Sequence, residues 1–180
     1  MTSATLTGTS RDNAMRWAGL DLSEIRFRGI RASDYGILHS FVHHLSPETS
    51  YKRLLSPRMP TDEELHRWSA IDAATECAVV AVVGPEGREE LIGVARFVVE
   101  PSEEADFAIV LADAWQGRGL GRELMSRLID SARQRGLRKL RGDVLATNTG
   151  MLTLARRLGF TVLRRSGIVS TIGLNLQRPS

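Results

Sequence analysis

Apolar and polar positions alternate with period two in "SEIRFRGI". Ile25 and Phe27 interleave with Arg26 and Arg28, with Gly29 in the next apolar place, as in a half-buried strand. The period then changes. In "RASDYGILHSFVHHL", Ile37, Leu38, Phe41, Val42 and Leu45 recur at helical spacing. Ser33 or Asp34 offers a cap, and Pro47 stands just past the end. "SPETSYKRLLSPRMPTDEELHRWSAI" predicts two short helices around a Pro-rich turn, where Thr61 with Glu64 three residues on is a capping-box signature. "ECAVVAVVG" and "ELIGVARFVVE" flank "PEGR" and predict a hairpin; "ADFAIVL" predicts a further strand. Leu120, Leu124, Leu128 and Ala132 then line one face of a helix that ends at Gly136, a residue suited to a left-handed cap. "KLRGDVLA" reads as strand, "TGMLTLARRL" as helix, and "GFTVLRR" and "IVSTIGLNL" as two closing strands. Residues 1–22 are polar and aperiodic. They predict a mostly flexible tail, with a short helix around Met15 and Trp17, ahead of one domain at 23–180. The element order predicts an α/β (mixed α+β) fold: one mixed sheet with helices on its faces.

Composition narrows the class without fixing a function. The 180 residues suit one domain, with 42% hydrophobic and 25% charged residues. No apolar run reaches the roughly 18 residues of a membrane span, and the N-terminus lacks a signal-peptide core. Cys77 is the single cysteine, which rules out an internal disulfide and fits a reducing compartment. The expectation is a cytoplasmic protein with no membrane partner. A formal charge of +3 is a mild excess, mostly arginine, that favours an anionic ligand without indicating nucleic acid. The basic run "RQRGLRKLRG" has no interleaved aromatics and reads as a cation-rich helix end. His39 and His43 are four apart on a helix, with no third ligand in view, so no metal is expected. Cys77 opens an apolar strand and reads as core.

The candidate chemistry lies in "DAWQGRGLGRELMSRLIDSARQRG". Gly117, Gly119 and Gly121 alternate with Arg118, Leu120 and Arg122 at the mouth of a helix. It is not a Walker A loop, because Arg122-Glu123 follows the last glycine where Lys and Ser or Thr are needed. It is not a G-x-G-x-x-G fingerprint either: Arg122 and Leu124 stand where the third glycine would. Its physics still suits an anion. Glycines admit close backbone approach, successive N–H groups form a nest, and a helix N-terminus adds unpaired donors.

"QGRGLG" resembles the Q/R-x-x-G-x-G/A signature of the GNAT superfamily of acetyl-CoA-dependent N-acyltransferases, with Gln116, Gly119 and Gly121 in the fixed places. "NTGMLTLARRLGF" resembles that family's second block, from Asn148 to Gly159-Phe160. The resemblance spans about residues 25–176. It implies a central mixed, mostly antiparallel sheet with a splayed strand pair and helices on both faces. It also implies a diphosphate held by backbone N–H groups from Gly117 through Arg118, Gly119, Leu120 and Gly121 to Arg122. A pantetheine arm would pair with Ile109, Val110 and Leu111, and an N–H near Leu111 would face the thioester carbonyl. Asn148 would bond the pantetheine or cap its helix. "LSPETSYKRLL" and "MLTLARRLGF" look like the bacterial GNAT domains that acetylate protein lysines. In these a Glu stands where this chain has Asp106, the implied base, with Glu103 and Glu104 as alternatives. Many members carry a tyrosine where this chain has Ala155. Tyr51 and Trp68 are placed beside the acceptor entrance, where each either shapes the substrate pocket or belongs to the core. The expected activity is acetyl transfer to a primary amine, a protein lysine first, by a monomer or homodimer. A small-molecule amine acetyltransferase and a non-catalytic acyl-CoA-binding regulator are the alternatives.

Overall fold

The computed structural model describes residues 24–177; the tail predicted for 1–22, with its short helix, lies outside them. The elements follow the predicted order: β1 (Arg26–Gly29), α1 (Tyr35–His44), α2 (Pro47–Leu54), α3 (Asp62–Ser69), β2 (Glu76–Val83), β3 (Glu90–Val99), β4 (Glu104–Leu111), α4 (Leu120–Gln134), β5 (Lys139–Leu145), α5 (Thr149–Arg157), β6 (Thr161–Ser166) and β7 (Val169–Asn175). The strands form one seven-stranded sheet in the order β1-β2-β3-β4-β5-β7-β6. Every neighbouring pair is antiparallel except β4–β5. Among the described residues no helix is long and apolar enough to cross a membrane.

Strand alternation sends side chains to two faces, and each has its own core. On one face Leu124, Met125 and Leu128 of α4 are fully buried against Ile92, Ala95 and Phe97. Each such side chain contributes on the order of 1.5–3 kcal/mol. On the other face Leu38, Phe41 and Val42 of α1 and Leu65 of α3 cover Val80, Val94 and Val110. α4 stops as its sequence implies. Gly136 has φ 73°, its N–H donates to Arg133 O, and Leu137 N–H donates to Ala132 O. The Thr61–Glu64 capping box of α3 is formed.

Asp34 departs from its expected role. It stands at the N-cap of α1, but its side chain makes no cap bond. Its carboxylate instead takes a forked pair from Arg28, at 2.7 and 2.8 Å, and the Arg31 N–H at 2.7 Å. Burial pushes this carboxyl up, but the bonds from Arg28 and Arg31 outweigh burial and hold it below its ordinary range. Its stabilising share is therefore complete above the unfolded pKa of about 3.9 and is lost as pH falls through the lower folded value. Asp34→Asn should cost about 3 kcal/mol at pH 7, because Arg28 loses its forked partner in a half-buried place. Urea unfolding at pH 7 and below pH 3 checks this: the gap between native and variant should narrow in acid.

Candidate active site

The site starts where β4 and β5 part. They pair in parallel only at Glu104–Lys139, Ala105–Leu140 and Asp106–Arg141, although β4 runs on to Leu111 and β5 to Leu145. Ala112 N–H donates to Ile92 O, so the even-numbered residues of β4 turn their backbone groups to β3. Phe107, Ile109 and Leu111 therefore turn theirs toward the gap. This corrects the expectation for Val110, whose backbone faces β3 and whose side chain is buried against α1. The open edge is left at Ile109 and Leu111.

Beyond β4 a short 3-10 turn, Asp113–Trp115, leads into Gln116 and the glycines. Gly117 and Gly119 both have positive φ, 71° and 76°, which an L side chain resists. No N–H from Gly117 to Gly121 has an acceptor among the described residues. These five donors lie at the entrance to α4, where Gly119 is the N-cap. Arg122 does not extend the cradle as expected. Its N–H is already given to Gly119 O at 2.9 Å. Its side chain lines the cleft, whereas Arg118 lies over the Trp115 ring at 5.8 Å. The Leu120 side chain is core, so only its N–H serves the cradle. Gly121 has a packing role: a Cβ there would meet Leu154 at 3.3 Å and Leu111 at 3.4 Å. Its lack of side chain lets α4 close against β4 and α5.

The cleft between the strands measures about 720 Å³. β4 and the glycine turn form one wall, and β5 and α5 form the other. Asn148 caps α5, accepting Met151 N–H at 3.2 Å, and also lines the cleft. Ala155 is buried in the core, so no hydroxyl takes the place of the absent tyrosine there. Asp106 is exposed and sits on the face opposite α4, with Oδ1 3.5 Å from Arg141 Nε. Glu104 is held by Lys139 and Arg141.

A third wall was not anticipated. α2 contributes Thr49, Lys52 and Arg53 to the cleft. Asp113 fixes it there, accepting from Ser46 N–H, Ser46 Oγ and Thr49 Oγ1 at 2.9, 2.7 and 2.7 Å. Gln116 Nε2 donates to Thr49 Oγ1 at 3.0 Å and to Leu111 O at 3.2 Å. Gln116 thus ties α2, the end of β4 and the glycine turn together. The i, i+3, i+4 spacing of Thr49, Lys52 and Arg53 was a readable sign of one shared face. Asp113→Ala should cost about 1 kcal/mol by urea unfolding, since the site is exposed but three donors lose one acceptor. Asp143 of β5 also lines the cleft, accepting from Thr171 Oγ1 at 2.7 Å.

Other candidates resolve into structure. Trp68 lines a smaller cavity behind the cleft and reaches the cleft only through Arg53, which lies over its ring, whereas Tyr51 lines neither. The His39 and His43 rings stack at 4.0 Å, and His43 Nδ1 donates to His39 O. Among the described residues no three His, Cys, Asp or Glu side chains cluster to hold a metal. Cys77 is buried, with Sγ 3.3 Å from Ser131 Oγ. The basic run is largely spent on Asp130, Glu104 and the Glu76 carbonyl.

A gap between two parallel strands, leading to a nest of free N–H groups, fits an extended arm ending in a diphosphate. The comparisons agree. A family model described as an acetyltransferase (GNAT) domain matches residues 24–161. The chain belongs to the GNAT acetyltransferase family. It is 32% identical over 142 residues to an acetyltransferase of Pseudomonas aeruginosa, covering 78% of this chain and 76% of that one. It is 36% identical over 129 residues to the acetyltransferase Pat of Mycolicibacterium smegmatis, covering 70% of this chain but only 38% of that one. The GNAT domain of S. lividans PAT superposes with a TM-score of 0.77 at 27% identity, covering 84% of this chain and 90% of that one. The protein is therefore an acetyl-CoA-dependent acyltransferase that acts on an amine.

Proposed function

We propose that this GNAT enzyme acetylates the ε-amine of protein lysines, with Asp106 as base. The carrying observation is the open acceptor end: Asp106 and Asp143 are both exposed where β4 and β5 begin to part. A lysine on a folded protein can reach such a place. The likeness of "LSPETSYKRLL" to protein-acetylating GNAT domains supports the same reading.

Acetyl-CoA supplies an acyl group activated as a thioester. The N–H groups of Gly117–Gly121 hold its diphosphate, with Arg122 adding charge, and the edge at Ile109 and Leu111 aligns the pantetheine. Leu111 N–H donates to the carbonyl oxygen, where negative charge grows during attack. Asn148 offers its side-chain NH2 to the arm while its oxygen caps α5. A lysine amine has a pKa of about 10.4, so only about one in a thousand is neutral at pH 7. Asp106 accepts the amine proton, through a water where its shorter side chain does not reach. The C–S bond breaks to release CoA thiolate, whose conjugate thiol has a pKa of about 8.5, and the thiolate takes its proton from water.

The test is mass spectrometry of purified candidate proteins incubated with acetyl-CoA and enzyme. Acetyl-lysine formed at a rate proportional to enzyme supports the proposal. Turnover of polyamines or amino acids with no acetyl-lysine would transfer the activity to small amines.

A further inference from the structure

Among the described residues Arg53, Arg122 and Arg157 line the cleft without a carboxylate partner, and of these Arg53 alone is set beside a second guanidinium over one aromatic ring. Behind it, Arg67 and Arg96 both pair with Glu76, at 3.2 and 2.7 Å. Arg53 and Arg96 both lie over the Trp68 ring, at 5.6 and 5.8 Å. Two guanidiniums, Arg67 and Arg96, thus share the Glu76 carboxylate, and Arg53 adds a third positive charge beside Arg96. Among the described residues Arg53 pairs with no acid. Burial and the nearby Arg96 push it down to about 10, and it remains charged at neutral pH. Its neighbour Lys52 is paired with Glu48. Unmatched positive charge in a half-buried wall is costly unless an anion arrives. The Trp68 ring lies 5.6 Å from the Arg53 guanidinium carbon, close enough for a cation–π contact that holds the cation in this wall.

The position fits the acceptor rather than the diphosphate. Arg53 lies one turn beyond Thr49 on α2, and Thr49 meets Gln116 beside Leu111. Arg96, which shares the Trp68 ring with Arg53, pairs across the sheet with Ala108. Arg53 therefore stands level with the stretch of β4 between Asp106 and Leu111, away from the glycine nest.

We propose that Arg53 binds a carboxylate carried by the acceptor, so that the preferred amine has an anionic neighbour. This rests on the amine-acetyltransferase reading above. The carboxylate is either the α-carboxylate of a free amino acid or the side chain of an Asp or Glu beside a target lysine. Both present the same planar partner to a guanidinium.

Two matched comparisons test it and separate the sources. Free L-amino acids are assayed against their carboxamides, and lysine peptides flanked by Asp or Glu against the Asn or Gln versions. At least one pair should show about a 10-fold preference in kcat/KM for the acid. Arg53→Gln should abolish that preference through KM, with acetyl-CoA affinity kept within about 2-fold. Arg53→Lys, which keeps the charge but loses the fork, should retain part of it. No preference for acid in either pair, or a preference that survives in Arg53→Gln, overturns the proposal. A second readout needs no turnover. An N-acetylated L-amino acid and its amide are titrated calorimetrically into the CoA complex, alongside an N-acetyl-lysine peptide with acidic flanks and its neutral version. Tighter binding of an acidic probe that vanishes in Arg53→Gln supports the proposal even if no amine is acetylated, when only the catalytic reading fails. Equal binding of acidic and neutral probes overturns it.

Discussion

Gly119→Glu should bind acetyl-CoA at least about 100-fold more weakly than the native chain, a loss of about 2.7 kcal/mol. Two effects add. Position 119 has φ 76°, so a side chain there distorts the turn that aims the five free N–H groups. The new carboxylate also places negative charge where the diphosphate must sit. Strain alone is separated by Gly136→Glu, at φ 73° with open space around its Cβ position and at the far end of α4. That variant should lose about 1–2 kcal/mol of stability while keeping acetyl-CoA affinity. Calorimetry of the two variants, with thermal melts of each, decides the matter. Equal binding by native and Gly119→Glu chains would remove the glycine nest as the cofactor seat.

Asp106→Asn should lower kcat about 100-fold with acetyl-CoA affinity unchanged within about 2-fold, the scale of a lost general base. Asp106 stands on β4 at the last paired position before the strands part; it does not itself line the cleft, and its Oδ1 lies 3.5 Å from Arg141 Nε. Asp143 is the rival. It lines the cleft, but Oδ1 is engaged by Thr171. Asp143→Asn should therefore change kcat less than about 3-fold. The opposite ranking would move the base to β5. Single-turnover rates at saturating acetyl-CoA separate proton transfer from binding.

Local chemistry explains what was legible in the sequence. The strands, the α4 face, the Gly136 cap and the Thr61–Glu64 box each depend on residues within a few positions of one another, so periodicity and turn chemistry found them. The glycine turn stood out for the same reason. Long-range packing hid the rest. Asp113 carries no local mark of a role, yet it holds Ser46 and Thr49 from across the chain. α2 was legible as a helix but not as a wall of the cleft. Asp34 looked like a cap until β1 placed Arg28 beside it. The resemblance alone put the Arg122 N–H in the nest, and its donation to Gly119 O in the first turn of α4 has no local mark in the sequence. Gly121 read as ligand space, and only the approach of Leu154 from α5 shows its packing role. The parting of β4 and β5 was implied by family resemblance alone, since neither strand carries a local mark of where pairing stops.

The most direct measurement is acceptor-dependent release of CoA thiol, followed beside mass-spectrometric counting of acetylated amines. Native protein with acetyl-CoA and a lysine-bearing acceptor should release one thiol for each amine acetylated, at a rate that rises with pH as more amine is neutral. Tight acetyl-CoA binding with no thiol release above the solvent background for any amine or protein acceptor would contradict acetyl transfer by this cleft.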